Sequence, residues 1–163
     1  MSPDSLAQVA VAATTSMPLV VAWIGIVLMV AMSGVGSAYG TVIDGAATIG
    51  SLKKKDDIFA NCMILSALPG TQGLYGFGAF FLLKTKIVAG MSMMSALAIL
   101  AAGMIVGTVC LLSAFQQARI VACGIESLGD GNDVFSKTLV LAVYPELYAI
   151  ISFAAAFLIY SGI

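Results

Sequence analysis

Histidine is absent from the 163 residues, and only 9% of them are charged. The first absence removes the commonest metal ligand and proton shuttle. The second removes the solvating surface of an ordinary soluble domain, in which roughly a quarter of residues are charged. Lys and Arg number 7 against 8 Asp and Glu, for a net charge of −1. No face is therefore built to neutralise a phosphate backbone, and no nucleic-acid partner is expected. The three cysteines, Cys62, Cys110 and Cys123, lie in or near apolar segments without metal-like spacing, and read as small packing residues. The stretch from Met1 to Ser16 lacks the basic flank of a signal peptide, so it is expected to lead into the first helix as mature chain.

What is present is apolar: 61% of the residues are hydrophobic, gathered in long runs. The charge-free stretches Ser5 to Ile43 and Ile87 to Ala118 each exceed the roughly 20 residues that cross a bilayer. Ile58 to Leu83 and Thr138 to Ile163 also qualify, the last broken only by Glu146. The reading is an all-α membrane protein of four transmembrane helices, at about Pro18 to Gly50, Asp57 to Leu83, Ala89 to Leu128 and Asp133 to Tyr160. The short connections leave no room for a soluble catalytic domain, so any activity sits in the lipid bilayer. Lys53, Lys54 and Lys55 fill the first loop, and Arg119 and Lys137 flank the third. The second loop holds only Lys84 and Lys86, and the N-terminal tail holds no basic residue. The positive-inside rule then puts loops one and three in the cytoplasm and both termini outside.

The halves repeat. Pro69-Gly70 matches Pro145-Glu146, Phe77 matches Phe153, Ala79 matches Ala155, and Phe81-Leu82 matches Phe157-Leu158, all at one offset. Two tandem helical hairpins are expected, 1–86 and 87–163. A slightly different offset is expected for the first helix of each pair, setting Ser37 against Gln117. Gly70 stands where the second hairpin has Glu146, so only one of the two hairpins is expected to carry a membrane carboxylate. Gly36 and Gly40, and likewise Gly103 and Gly107, have the spacing that lets helix backbones approach closely in lipid. This either packs a single chain or makes helices one and three a crowded inner layer, with Phe77, Phe80, Phe81, Phe153, Phe157 and Tyr160 of the other two helices turned to lipid.

Glu146 falls near the middle of the fourth helix, hence near the bilayer midplane. An ionised carboxylate there costs at least about 2.5–3.5 kcal/mol, so a proton, a cation or a basic partner must neutralise it. No Lys or Arg sits at that depth. A permanently protonated glutamic acid is the plainest alternative. Thr71 and Gln72 in helix two and Gln117 in helix three are uncharged oxygen donors at matching depths, and a hard cation such as sodium takes oxygen ligands. A proton would need far less, which leaves two intramembrane glutamines either as ligands or as interhelical hydrogen-bond glue. Pro69 loosens its helix so that a carbonyl in Leu65 to Leu68 can turn to a ligand. Tyr75, one turn after Thr71, is placed to hydrogen-bond Glu146. Gly70, Gly73 and Gly76 clear side chains from the same stretch.

The duplicated hairpins, the single helix-four glutamate and the run Leu68-Pro69-Gly70-Thr71-Gln72-Gly73-Leu74-Tyr75-Gly76-Phe77 together resemble the proteolipid, called c or K, of V-type rotary ATPases and ATP synthases. The resemblance covers nearly the whole chain and looks closest to the bacterial sodium-translocating branch. It implies sodium ligands at the Leu68 carbonyl, Thr71, Gln72, Gln117 and Glu146, with Tyr75 hydrogen-bonded to the glutamate. Pro145 directly before Glu146 departs from the pattern. Also implied are a homo-oligomeric rotor ring in a prokaryotic cell membrane, a membrane stator subunit with an essential arginine, and central-stalk subunits at the cytoplasmic loops. The chain would be an ion-translocating subunit and no enzyme by itself. Asp44, near the end of helix one, is assigned to interfacial solvation. The same ring carrying protons, a small four-helix cation exchanger and a purely structural proteolipid stay open as alternatives.

Overall fold

The computed structural model describes the backbone of residues 3–163 and the side chains of Ser5 and residues 16–163. Five α-helices and two short 3-10 turns account for it: α1 (Pro3–Leu52), a turn at Asp56–Ile58, α2 (Phe59–Ser66), a turn at Leu68–Gly70, α3 (Thr71–Lys84), α4 (Met93–Gly129) and α5 (Phe135–Gly162). No strand occurs among the described residues. Three helical segments are long and apolar enough to cross a membrane: Ser16–Leu52, Met93–Gly129 and Phe135–Gly162. At 37 residues each, the first two reach about 55 Å at 1.5 Å per residue, well beyond the roughly 30 Å hydrocarbon core.

Several expected boundaries move. The first helix starts at Pro3 rather than Pro18 and runs through Pro18 without ending there. The second is not one helix. Pro69 has no N–H to give and its ring crowds the carbonyl one turn back, so α2 stops at Ser66 and the chain passes through Leu68–Gly70, where Gly70 N–H donates to Ala67 at 3.0 Å. The third starts at Met93, four residues later than expected, because Gly90 turns the chain at φ 80° and Ser92 caps the helix, its Oγ accepting from Ser95 N–H at 3.0 Å.

Small residues bring α1 and α4 together. A Cβ on Gly36 would stand 2.8 Å from Leu111 Cα, and one on Gly25 would stand 2.6 Å from Leu100 Cα. A Cβ on Gly103 would run into the Gly25 carbonyl. α5 lies along α4, and α3 fits against α1, α4 and α5. Two apolar clusters result. One holds Met29, Ala79, Ile99, Val106 and Ala156; the other holds Ile58, Leu65, Val121, Ile125 and Ala142. Phe77, Phe81 and Phe157 are exposed as the outward face predicts, whereas Phe80, Phe153 and Tyr160 pack against the first cluster. Cys62 and Cys110 are buried packing residues as expected, but Cys123 is exposed.

Beyond the helix ends, Lys54 of the first loop meets Asp130 at 2.7 Å. The Asp130 carboxylate holds the Lys54 ammonium above the ordinary lysine range.

Candidate ion-binding site

Between the two apolar clusters lies a layer of polar side chains from three helices. Gln72 (α3) is fully buried and Gln117 (α4) is 1% exposed, while Glu146 (α5), Thr71 and Tyr75 (α3) are half-buried. All five converge, as the sequence predicts. Glu146 Oε2 accepts from Thr71 Oγ1 at 2.8 Å, Gln72 Nε2 at 3.1 Å and Gln117 Nε2 at 2.8 Å. Its Oε1 accepts from the Tyr75 hydroxyl at 2.5 Å. No Lys or Arg takes part. Arg119 is exposed and donates to Gln116 at 3.3 Å.

The local sequence explains the arrangement. The break at Pro69 lets the Leu68 carbonyl face the site, where Thr71 Oγ1 lies 2.8 Å from it. Gly76 and Gly73 seat α3 directly on α1: Gly73 N–H donates to Ser37 Oγ at 2.7 Å, and a Cβ on Gly76 would strike the Ser33 side chain. Pro145 does not interrupt α5. Its carbonyl accepts from Ser113 Oγ at 2.8 Å, which ties α5 to α4 beside the glutamate.

One hydroxyl proton is shared among several oxygens. Around Thr71 Oγ1 stand the Leu68 carbonyl at 2.8 Å, Glu146 Oε2 at 2.8 Å and Gln72 Oε1 at 3.3 Å, yet a hydroxyl has one proton to give. Gln117 spends its amide protons on Ala142 O at 2.9 Å and Glu146, so its Oε1, which accepts from Gln72 Nε2 at 2.9 Å, completes the set. The carboxylate is fully hydrogen-bonded, and the oxygen atoms gathered around Thr71 Oγ1 are of the kind a small hard cation takes as ligands. No group of three or more His, Cys, Asp and Glu occurs among the described residues, so a transition-metal centre has no ligands of that kind here.

Two participants escaped the sequence reading. Ser113 bridges the Pro145 carbonyl and Gln72 Nε2, the latter at 3.3 Å. Its signal is its place one turn before Gln117 on the same face. Phe153 lies beside Tyr75, centroids 6.2 Å apart with the rings tilted by 42°, and limits where the phenol can point. Asp44 corrects the sequence reading outright: its side chain is fully buried and is not solvated at an interface.

An all-helical, membrane-embedded proteolipid with one carboxylate wrapped by amide and hydroxyl groups is the class that fold and site define. The family model for the ATP synthase C subunit matches the chain twice, at residues 24–83 and 100–159. The chain belongs to that family. The V-type sodium ATPase subunit K of Enterococcus hirae is 35% identical over 127 residues, covering 78% of this chain and 81% of the relative. The A-type ATP synthase subunit K of Methanocaldococcus jannaschii is 34% identical over 146 residues, covering 90% of this chain and 64% of the relative. The chain is accordingly one component of an ATPase or ATP synthase assembly and not an enzyme by itself.

The two matched segments are equally long, with their bounds one offset apart. Carried through the first helices, that offset would set Thr41 rather than Ser37 against Gln117. The packing agrees: Tyr39 faces Phe115 at that same offset, 6.0 Å between centroids, and the side chain nearest Gly70 is Thr41, as Gln117 is a direct partner of Glu146.

Proposed function

We propose that this chain is the rotor-ring subunit of a V-type ATPase or ATP synthase, and that it carries sodium ions bound by Glu146, Gln117, Gln72, Thr71 and the Leu68 carbonyl. The gathering of oxygen atoms around Thr71 Oγ1, beside the one membrane carboxylate of the site, carries the reading. The amide nitrogens of Gln72 and Gln117 donate to the carboxylate. When sodium enters, rotation of the amides presents their oxygens instead, and the ion cancels the carboxylate charge. Tyr75 holds the outer carboxylate oxygen and closes the site. A proton needs one carboxyl and one acceptor, so two buried glutamines favour sodium over the proton-carrying form of the same ring.

Transport follows from the cost of charge in lipid. A bare Glu146 cannot face hydrocarbon, at about 2.5–3.5 kcal/mol or more, so the ring turns past lipid only while loaded. The ion leaves where a stator arginine offers a replacement positive charge. A groove of about 700 Å³ beside the site supports a neighbouring copy of the chain. It is lined by Val109, Leu112, Leu141, Tyr144 and Tyr148, nearly all apolar. In this arrangement the repeats are two hairpins, 1–86 and 87–163, with α1 and α4 inside the ring. Both termini lie outside a prokaryotic cell membrane, and loops one and three meet the central stalk in the cytoplasm.

Carbodiimide labelling of Glu146 tests the proposal, because the reagent attacks only a protonated carboxyl. Sodium is expected to protect Glu146 at fixed pH. Labelling indifferent to sodium assigns the ring to protons. The small-exchanger alternative is tested by the mass of the detergent-extracted protein: a ring of many copies is expected, and a dimer removes the rotor reading.

A further inference from the structure

Asp44 belongs to no part of the site above. Its carboxyl is 0% exposed and neither oxygen has a hydrogen-bond partner. Ser33, Ser37, Gly40, Asp44, Thr48 and Ser51 follow one another at three- or four-residue intervals, which sets them on one face of α1. A Cβ on Gly40 would stand 2.5 Å from Pro69 Cβ and 3.2 Å from the Ala114 carbonyl. One turn beyond Asp44, the Thr48 hydroxyl pairs with the Ser66 hydroxyl at 2.8 Å. Asp44, between these contacts, is aimed into the wedge where the end of α2 and the middle of α4 meet α1.

Nothing in that wedge stabilises an anion. Ser66 Oγ donates to the Cys62 carbonyl at 2.8 Å, so the proton between Ser66 and Thr48 comes from Thr48, and neither hydroxyl has one left. Thr41 donates backward to the Ser37 carbonyl at 2.9 Å. The ionisable groups on the packed elements supply no cation. α2 offers only the buried Cys62 thiol, and the Leu68–Gly70 turn offers none. α4 has buried Cys110 and exposed Arg119, Cys123 and Glu126. On α3, Tyr75 is spent on Glu146 and Lys84 is exposed near the opposite end. A buried carboxylate without donors or a counter-charge is not sustained; the group takes up a proton instead.

We infer that Asp44 is a second ion-binding carboxyl, specific for a proton and enclosed where α1 meets α2 and α4. A sodium ion would need an oxygen shell that Thr48 and Ser66 give to each other, whereas a proton needs the carboxyl alone. Each chain then holds two acids with different occupants: Glu146 with its mobile cation, and Asp44 with a proton that keeps α1 seated against the Pro69 break.

Infrared spectroscopy of the assembled protein in saturating sodium at neutral pH tests this. Asp56, Asp57, Glu126, Asp130 and Asp133 are exposed, unlike Asp44, and the band at issue is the one that substitution of Asp44 removes. A carboxylic-acid band is expected to persist and to be lost in Asp44→Asn while remaining in Glu146→Gln. Because Asp44→Asn can fail to assemble, the unsubstituted protein labelled with carbon-13 in the aspartate carboxyls gives a second readout: the band shifts to lower frequency. Absence of an acid band under these conditions, or a band that aspartate labelling leaves in place, overturns the inference. Should Glu146 carry protons instead of sodium, a second, unshifted glutamate band appears beside the first, so the two proposals fail separately.

Discussion

The two repeats carry prolines at matching positions, yet the helix breaks at Pro69 and runs unbroken through Pro145. Around Pro69 the chain has Gly70, then Gly73 and Gly76, residues that gain little from helix; around Pro145 it has Tyr144, Glu146 and Leu147, which hold one. The neighbours differ as well. Thr41 near Gly70 offers one short hydroxyl, while Gln117 beside Glu146 offers an amide long enough to reach across helices. One repeat therefore contributes a loosened backbone whose Leu68 carbonyl faces the site, and the other a straight helix with a fixed carboxylate. The ion site is built from their difference: two identical copies would give either two carbonyls with no charge or two carboxylates with no shell.

Substitutions that erase this difference are expected to act in a definite order. Glu146→Gln removes the charge that the ion cancels, and sodium uptake by reconstituted complexes should cease. Gln117→Ala and Thr71→Ala each remove a partner of the charged oxygen, worth about 1.5–3 kcal/mol, so sodium affinity should fall roughly 10- to 150-fold in equilibrium binding. Gly103→Ala drives a methyl into the Gly25 carbonyl and should destabilise the α1–α4 contact by about 1–3 kcal/mol, read as a lower thermal midpoint in detergent. Gly34→Ala, with open space around it, should leave that midpoint unchanged. Tyr75→Phe removes one hydrogen bond from a site already neutralised by the ion, so affinity should fall about 2- to 12-fold.

The smallest effect lies outside the membrane. Because Asp130 raises the Lys54 ammonium above its ordinary value, this pair contributes fully below that ordinary value and is lost as pH rises through the raised one. Both partners are more than half exposed, so Lys54→Ala should barely move the thermal midpoint at neutral pH and should remove a slight alkaline weakening.

Much of this was legible in the sequence because hydrocarbon makes polar residues conspicuous. Glu146, Gln117, Gln72, Thr71 and Tyr75 interrupt apolar runs, and their meeting follows from the cost of leaving any of them alone in lipid. Ser113 was not legible, since a serine among small residues looks the same whether it fills space or bridges two helices. Asp44 was misread for a related reason. Distance along the chain gives depth but not facing, and its burial depends on Gly40 drawing α1 against Pro69. The continuation of α1 through Pro18 also has no local signal: proline usually begins or ends a helix, and only the surrounding helix overrides that tendency.

Equilibrium sodium binding to the purified, assembled protein, counted per chain with and without Glu146→Gln, addresses the site itself. The expected result is one ion per chain in the unsubstituted protein and none in the variant. Full assembly with no sodium bound, or binding that survives loss of the glutamate, would contradict the assignment of the oxygen cluster around Thr71 as the cation's seat.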